Sequence, residues 1–237
     1  VLFITYFFGT SVAGLYDRAY WLVTLTNKLI SPITHKVGFS ILTKLNNDKK
    51  LKLARVAART ISILLFPIFI IFLFYYDVVA QLVFGDKWGG IDNFIQSLSV
   101  VSLAIPIWSG VIFQYYLSKK ELLKVNYMQI CMIILLSIGV FLSWNYDNAI
   151  FVSIFVSLTY LLSISYGFFR VFYKNKLQLM LDEFKIFIVF IVFLFFSNLI
   201  FIDTLYTHNE FYKVIAFIFL SYMFVYAYFY KKNLFSL

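Results

Sequence analysis

The sequence predicts an all-α fold, a polytopic bundle of transmembrane helices, and three observations lead to that prediction. Hydrophobic residues make up 62% of the 237 residues and charged residues 13%, against about 45–50% and about 25% in soluble domains. The apolar residues form long runs, such as 61–76 and 186–202. These runs lack the residue-by-residue alternation of a membrane β-barrel strand. The charged residues, finally, are concentrated in short polar segments between the runs.

Apolar runs of about 20 residues mark the individual spans. They predict a partial helix at residues 1–8 and then seven full spans, approximately at residues 15–42, 60–82, 94–117, 125–144, 149–169, 184–202 and 212–230. Pro67 and Pro106 lie inside two of them, where a proline removes a backbone donor and kinks the helix. Because the chain opens within an apolar run, we expect it to be the C-terminal part of a longer protein.

The connections between the spans alternate in charge. The first, third, fifth and last are basic, and the intervening ones are mainly acidic or nearly uncharged. By the positive-inside rule the basic connections are cytoplasmic. The sequence therefore predicts a multi-pass membrane protein with a cytoplasmic C-terminus. The net charge of +9 is explained by this topology, and we expect no nucleic-acid partner.

Catalytic and metal-binding patterns are not apparent in the sequence. It has no Ser/His/Asp arrangement, no phosphate-binding glycine loop and no clustered metal ligands. The single cysteine, Cys131, excludes an internal disulfide and is interpreted as a small buried hydrophobic residue. We therefore expect a protein that is not an enzyme and that uses no catalytic residue, metal or cofactor.

Candidate binding residues occur in the span at 15–42. Its positively charged and titratable side chains, taken as cations of a cavity, are Arg18, Lys28, His35 and Lys36. On a continuous helix, Arg18, Lys28 and His35 share one face. Lys28 would lie near the middle of the bilayer, where an ammonium requires a cavity or a partner. A cationic stripe of this kind suits a diphosphate or an acidic sugar. In the alternative interpretation, Arg18 and Lys36 extend to the membrane surface and Lys28 pairs with another helix.

Three segments together resemble a known family. Residues 8–20 read FGTSVAGLYDRAY, residues 42–48 read LTKLNND, and residues 84–88 read FGDKW. In order and spacing they are similar to the G-x-x-x-x-G-x-Y-x-x-A-Y, L-x-x-L-x-x-D and F-G-x-x-W elements of Wzx-type polysaccharide flippases. The resemblance extends over about residues 3–141. One departure is Tyr115–Lys120, which stands where family members often have a small-residue-x-G-[RK] turn.

The resemblance implies an exporter with two lobes around a central cavity, within the superfamily that includes multidrug extruders. Residues 1–172 would then be the C-terminal lobe, and residues 173–237 two additional transmembrane helices. The implied substrate is an undecaprenyl-diphosphate-linked oligosaccharide for lipopolysaccharide (O-antigen), capsule or exopolysaccharide. Membrane lipids, a polysaccharide polymerase and a chain-length regulator are the implied partners.

Two other functions stay open at this point. A cation-coupled multidrug exporter of the same superfamily is expected to need a carboxylate within the membrane, and here every Asp and Glu maps to a loop or a span end. A membrane polysaccharide polymerase or ligase is expected to need a sizeable external loop with basic residues, and the predicted external loops are short. A purely structural membrane subunit is a further alternative.

Overall fold

The structure is a computed structural model, and it describes residues 1–172, which form one compact unit. This part of the chain is helical and contains no strand. Its α-helices are α1 Leu2–Val23, α2 Leu25–Ile33, α3 Phe39–Lys44, α4 Asn47–Phe74, α5 Tyr76–Phe84, α6 Ile91–Ile107, α7 Phe113–Ser118, α8 Leu122–Asn145 and α9 Ile150–Phe172. Two π-helical segments, π1 Thr34–Gly38 and π2 Trp108–Ile112, join α2 to α3 and α6 to α7. The all-helical membrane bundle predicted from the sequence is confirmed.

Four helices of the described unit are long and apolar enough to cross a membrane: Asn47–Phe74, Ile91–Ser118, Leu122–Asn145 and Ile150–Gly167. They correspond to four of the seven predicted spans. The span at 15–42 is also helical but is interrupted, as described below. The remaining two, at 184–202 and 212–230, lie outside the described residues, and the division at residue 172 into a lobe and two additional helices stays a prediction.

The helix that contains Arg18 begins earlier than predicted. Gly9 has a left-handed φ of 85° with ψ of 169°, which separates the first turns of α1 from the rest of that helix. Only glycine adopts this geometry without strain. The predicted end of the partial helix at residue 8 is therefore correct, but the next helix begins directly after Gly9 and not at residue 15.

Helix α4 also differs from its predicted span. Hydropathy places the start near residue 60, whereas the helix starts at Asn47. Its first turns bury Lys50, Ala54 and Ala58, and the buried face continues at Ile61 and Leu65. These spacings of three and four residues are those of an amphipathic helix face. A search for continuous apolar runs does not detect such a face. The helix then ends at Phe74, and the remainder of the predicted span forms the separate helix α5.

The helix formed by α6, π2 and α7, called here the central helix (Ile91–Ser118), is the core of the unit. In the most apolar 18-residue stretch of the central helix 72% of the residues are buried, compared with 17% in the corresponding stretch of α8. Serines join it to α9: the hydroxyls of Ser97 and Ser153 are 2.5 Å apart, and that of Ser157 donates to the carbonyl oxygen of Ser97. Small residues and interhelical hydrogen bonds of this kind replace the hydrophobic effect as the source of helix association in a bilayer.

Helix α8 packs mainly against α9 and presents a broad apolar surface. Gly139 permits the approach, because a Cβ there would overlap the Phe155 side chain. The opposite face exposes a row of large hydrophobic residues: Leu123, Tyr127, Ile130, Ile134, Ile138 and Phe141. Cys131 is exposed on the same helix. The interpretation of Cys131 as a buried residue was therefore wrong within this unit, since neither neighbouring helix covers its position.

Candidate functional site

The four candidate cations lie along one interrupted helical rod, formed by residues 10–44 and called here the cationic rod. Arg18 is in α1, Lys28 in α2, and His35 and Lys36 in π1. All four side chains are exposed. The structure thus places them on the surface of the unit in a row and does not gather them in one pocket. Among residues 1–172, none of the four pairs with a carboxylate.

The cationic rod runs parallel to the central helix. The ring of Tyr16 lies 6.0 Å from that of Phe94, the Thr26 hydroxyl contacts the Ser102 carbonyl, and Thr34 lies against Gly110. Because Ser102 is near the middle of the central helix, Lys28 lies about halfway along it. Asp17 lies at the level of Phe94, close to the start of the central helix. The order of these positions along the central helix is the one expected from the sequence, and their depth in a membrane stays a prediction.

Thr24 interrupts the rod between Arg18 and Lys28. Its φ of −86° and ψ of −3° end α1, and its hydroxyl donates to the carbonyl oxygens of Tyr20 at 2.7 Å and Trp21 at 3.1 Å. Threonine hydroxyls that bond back to the preceding turn bend helices. A second change follows at π1, which contains His35 and Lys36. The assumption of one continuous helix that carries Arg18, Lys28 and His35 on a single face was therefore incorrect, although each of them is exposed.

Lys28 has an aromatic partner that was not expected from the sequence. Its ammonium lies 5.5 Å from the centroid of the Trp21 ring, within the range of a cation–π interaction. The two residues are seven apart on the same rod, a spacing of about two helical turns. That spacing is the signal by which Trp21 could have been found. The ring leaves the ammonium accessible, because both side chains are exposed.

Polar side chains beside Lys28 attach the rod to the central helix. The hydroxyl of Ser109 donates to the Oδ1 of Asn27 at 3.0 Å, and the hydroxyl of Thr26 donates to the carbonyl oxygen of Ser102 at 2.7 Å. These side chains point inward while Lys28 points outward, so they fix which face of the rod is presented. Single Asn, Ser and Thr residues in apolar runs have no distinctive pattern, so these contacts were not expected from the sequence.

No group of three or more His, Cys, Asp or Glu side chains in residues 1–172 is arranged to bind a metal ion. What distinguishes the rod is the contrast between its exposed face and that of α8. The rod exposes the ionisable side chains of Asp17, Arg18, Lys28, His35, Lys36 and Lys44 together with the apolar side chains of Trp21, Leu29, Ile33 and Ile41; the exposed row on α8 is apolar. A charged side chain facing hydrocarbon is unfavourable by at least about 2.5–3.5 kcal/mol near mid-depth. The face of α8 suits lipid, whereas a charged side chain of the rod at mid-depth would need water, an anion or a partner helix.

Comparison with protein families gives a match for the segment that contains the rod. Residues 1–93 match a polysaccharide biosynthesis protein family. The matched segment includes the whole cationic rod, α4 and α5, and ends at the start of the central helix. It supports the polysaccharide flippase-type family in the broad sense, and the narrower assignment to the Wzx type stays a prediction. Comparison with curated proteins and with solved structures gave no match.

Proposed function

We propose that this chain is part of a transporter, not an enzyme, that moves undecaprenyl-diphosphate-linked oligosaccharide across the bacterial inner membrane. The observation that supports the proposal is the exposed charged face of the cationic rod beside an apolar bundle. Such a face is stable in a membrane protein when it lines an aqueous cavity. The polysaccharide biosynthesis match over the same residues supports the assignment of the cargo to that process.

The charges of the rod favour an anionic cargo. Five of its six exposed ionisable side chains are cationic or can become so, and Lys28 lies beside the middle of the central helix. In the proposed mechanism Lys28 and its neighbours hold the diphosphate, and the lipid tail stays in the bilayer. Access alternates between this lobe and a second lobe, with the basic connections on the cytoplasmic side. A cation-coupled drug exporter would instead require a carboxylate at mid-depth, and within residues 1–172 Asp17 lies near the end of the span.

The experiment is complementation of a flippase-deficient strain with the complete gene, with surface polysaccharide and membrane protein level both measured. We expect Lys28→Ala to abolish surface polysaccharide at a normal protein level. Lys28→Arg should retain part of the activity, because the positive charge is kept while its geometry changes. Lys87→Ala, in an exposed turn outside the rod, is the matched control and should behave as wild type.

Two outcomes contradict the assigned role. Normal export by a well-expressed Lys28→Ala variant removes Lys28 from the substrate site. A loss of export that follows a loss of protein makes Lys28 a structural residue, held by Trp21.

A further inference from the structure

Two neighbouring helices are interrupted in the same way at the same level. Pro32 precedes the π-helical segment Thr34–Gly38 in the cationic rod, and Pro106 precedes Trp108–Ile112 in the central helix. In both cases the π-helical segment begins two residues after the proline. Since the two helices are parallel, both interruptions lie side by side.

The interruptions are also in contact. Gly110, inside π2, lies so close to Thr34, inside π1, that a Cβ at residue 110 would be 2.8 Å from the Thr34 hydroxyl oxygen. The hydrogen bond between Ser109 and Asn27 joins the same two helices beside this point. The two interruptions are thus joined by a close contact and, beside it, a side-chain hydrogen bond.

Proline and π-helical turns weaken a helix against bending. The proline leaves the carbonyl four residues earlier without its N–H partner, and a π-helical turn replaces regular hydrogen bonds over several residues. Pro67 in α4 provides a comparison within the same chain, because α4 continues as a regular α-helix from Asn47 to Phe74 with no π-helical segment. A proline alone thus does not produce this interruption.

We propose that π1 and π2 form one coupled hinge, at which the terminal segments α3 and α7 swing together relative to the preceding parts of the rod and the central helix. Bending at one proline transmits to the other helix through the Thr34–Gly110 contact and the Asn27–Ser109 hydrogen bond. His35 and Lys36 lie inside the hinge, whereas Arg18 and Lys28 precede it. The spacing of the cations therefore changes as the hinge bends, whatever the cargo is.

The test measures the bend of one helix after the other is altered. Spin labels are placed on cysteines at Ser11 and Ser40, exposed residues on either side of π1, in the full chain with Cys131 replaced by serine. The two positions are separated by up to about 43 Å of helix at about 1.5 Å per residue, a distance that pulsed electron–electron double resonance can measure. We expect Pro32→Ala and Pro106→Ala to shift the distance distribution in the same direction. Pro67→Ala, the matched control, should leave the distribution unchanged.

A shift with Pro32→Ala but none with Pro106→Ala overturns the coupling, as does an equal shift with Pro67→Ala. If Pro106→Ala does not insert, Ser109→Ala provides the second test. It removes the hydrogen bond to Asn27 without altering either proline, and it should broaden the Ser11–Ser40 distribution. An unchanged distribution in a folded Ser109→Ala variant also contradicts the proposal. Circular dichroism checks the helix content of each variant.

Discussion

The hydroxyl of Thr26 donates to the carbonyl oxygen of Ser102 at 2.7 Å, and Ser102 is the residue whose carbonyl Pro106 leaves without a helical donor. In a regular helix the N–H of residue 106 would bond to this oxygen, and proline has none. An unsatisfied carbonyl is unfavourable inside a bilayer. The central helix can therefore keep Pro106 because a side chain of the cationic rod replaces the missing N–H.

This relationship gives the first prediction. Thr26→Val keeps the shape of the side chain but removes the donor, and we expect it to lower the free energy of unfolding by about 0.5–1.5 kcal/mol, the range of interhelical hydrogen bonds in membranes. In a Pro106→Ala background the same substitution should have a smaller effect, because residue 106 then donates to Ser102. Thermal unfolding in detergent measures both. An equal effect in the two backgrounds would show that Thr26 acts through packing alone.

Gly110 gives the second prediction. Gly110→Ala brings a methyl group against Thr34, and overpacking of this kind lowers stability by about 1–3 kcal/mol. Adding Thr34→Ala should restore part of the loss, since it removes the nearest atom. Gly14→Ala is the control: nothing lies within 4 Å of its added Cβ, so better helix propensity should raise stability by roughly 0.5–1 kcal/mol. Equal melting temperatures for the two single variants would argue against the close contact.

Lys50 gives the third prediction. Its ammonium is buried and donates to the carbonyl oxygen of Ser118 at 2.9 Å, at the end of the central helix. Cations are favourable at helix C-termini, where carbonyls lack intrahelical partners. We expect Lys50→Met to lower the free energy of unfolding by about 1–3 kcal/mol, the order of a hydrogen bond to a charged group. Lys49→Met, at the exposed neighbour, should change the free energy of unfolding by less than about 0.5 kcal/mol. An equal loss of stability in the two variants would show that the hydrogen bond from Lys50 to Ser118 is not the cause.

The fourth prediction concerns orientation. With Cys131 replaced by serine, cysteines at Asn47 and Lys120 should be protected from a membrane-impermeant thiol reagent in whole cells, whereas cysteines at Asn93 and Asn148 should react. All four positions are exposed, so differences in labelling report the side of the membrane. Permeabilised cells provide the control, in which all four should react. The reverse pattern in intact cells would invert the proposed topology.

The sequence by itself determined the class of the protein and the approximate spans. Hydropathy and loop charge are local properties, and the free energy of placing 20 apolar residues in a bilayer depends little on which other helices surround them. The end of the partial helix at residue 8 and the spans near 94–117 and 125–144 followed from this information.

Tertiary structure decided the features that depend on pairs of residues distant in sequence. Thr26 and Ser102 are 76 residues apart, and nothing near either one indicates that a threonine on one helix replaces the N–H that a proline lacks on another. The early start of α4, the exposure of Cys131 and the contact of the two interrupted helices depend in the same way on which surfaces meet. Packing in a bilayer depends on the complementary shapes of neighbouring helices and on the hydrogen bonds between them. Neither can be deduced from a single apolar run.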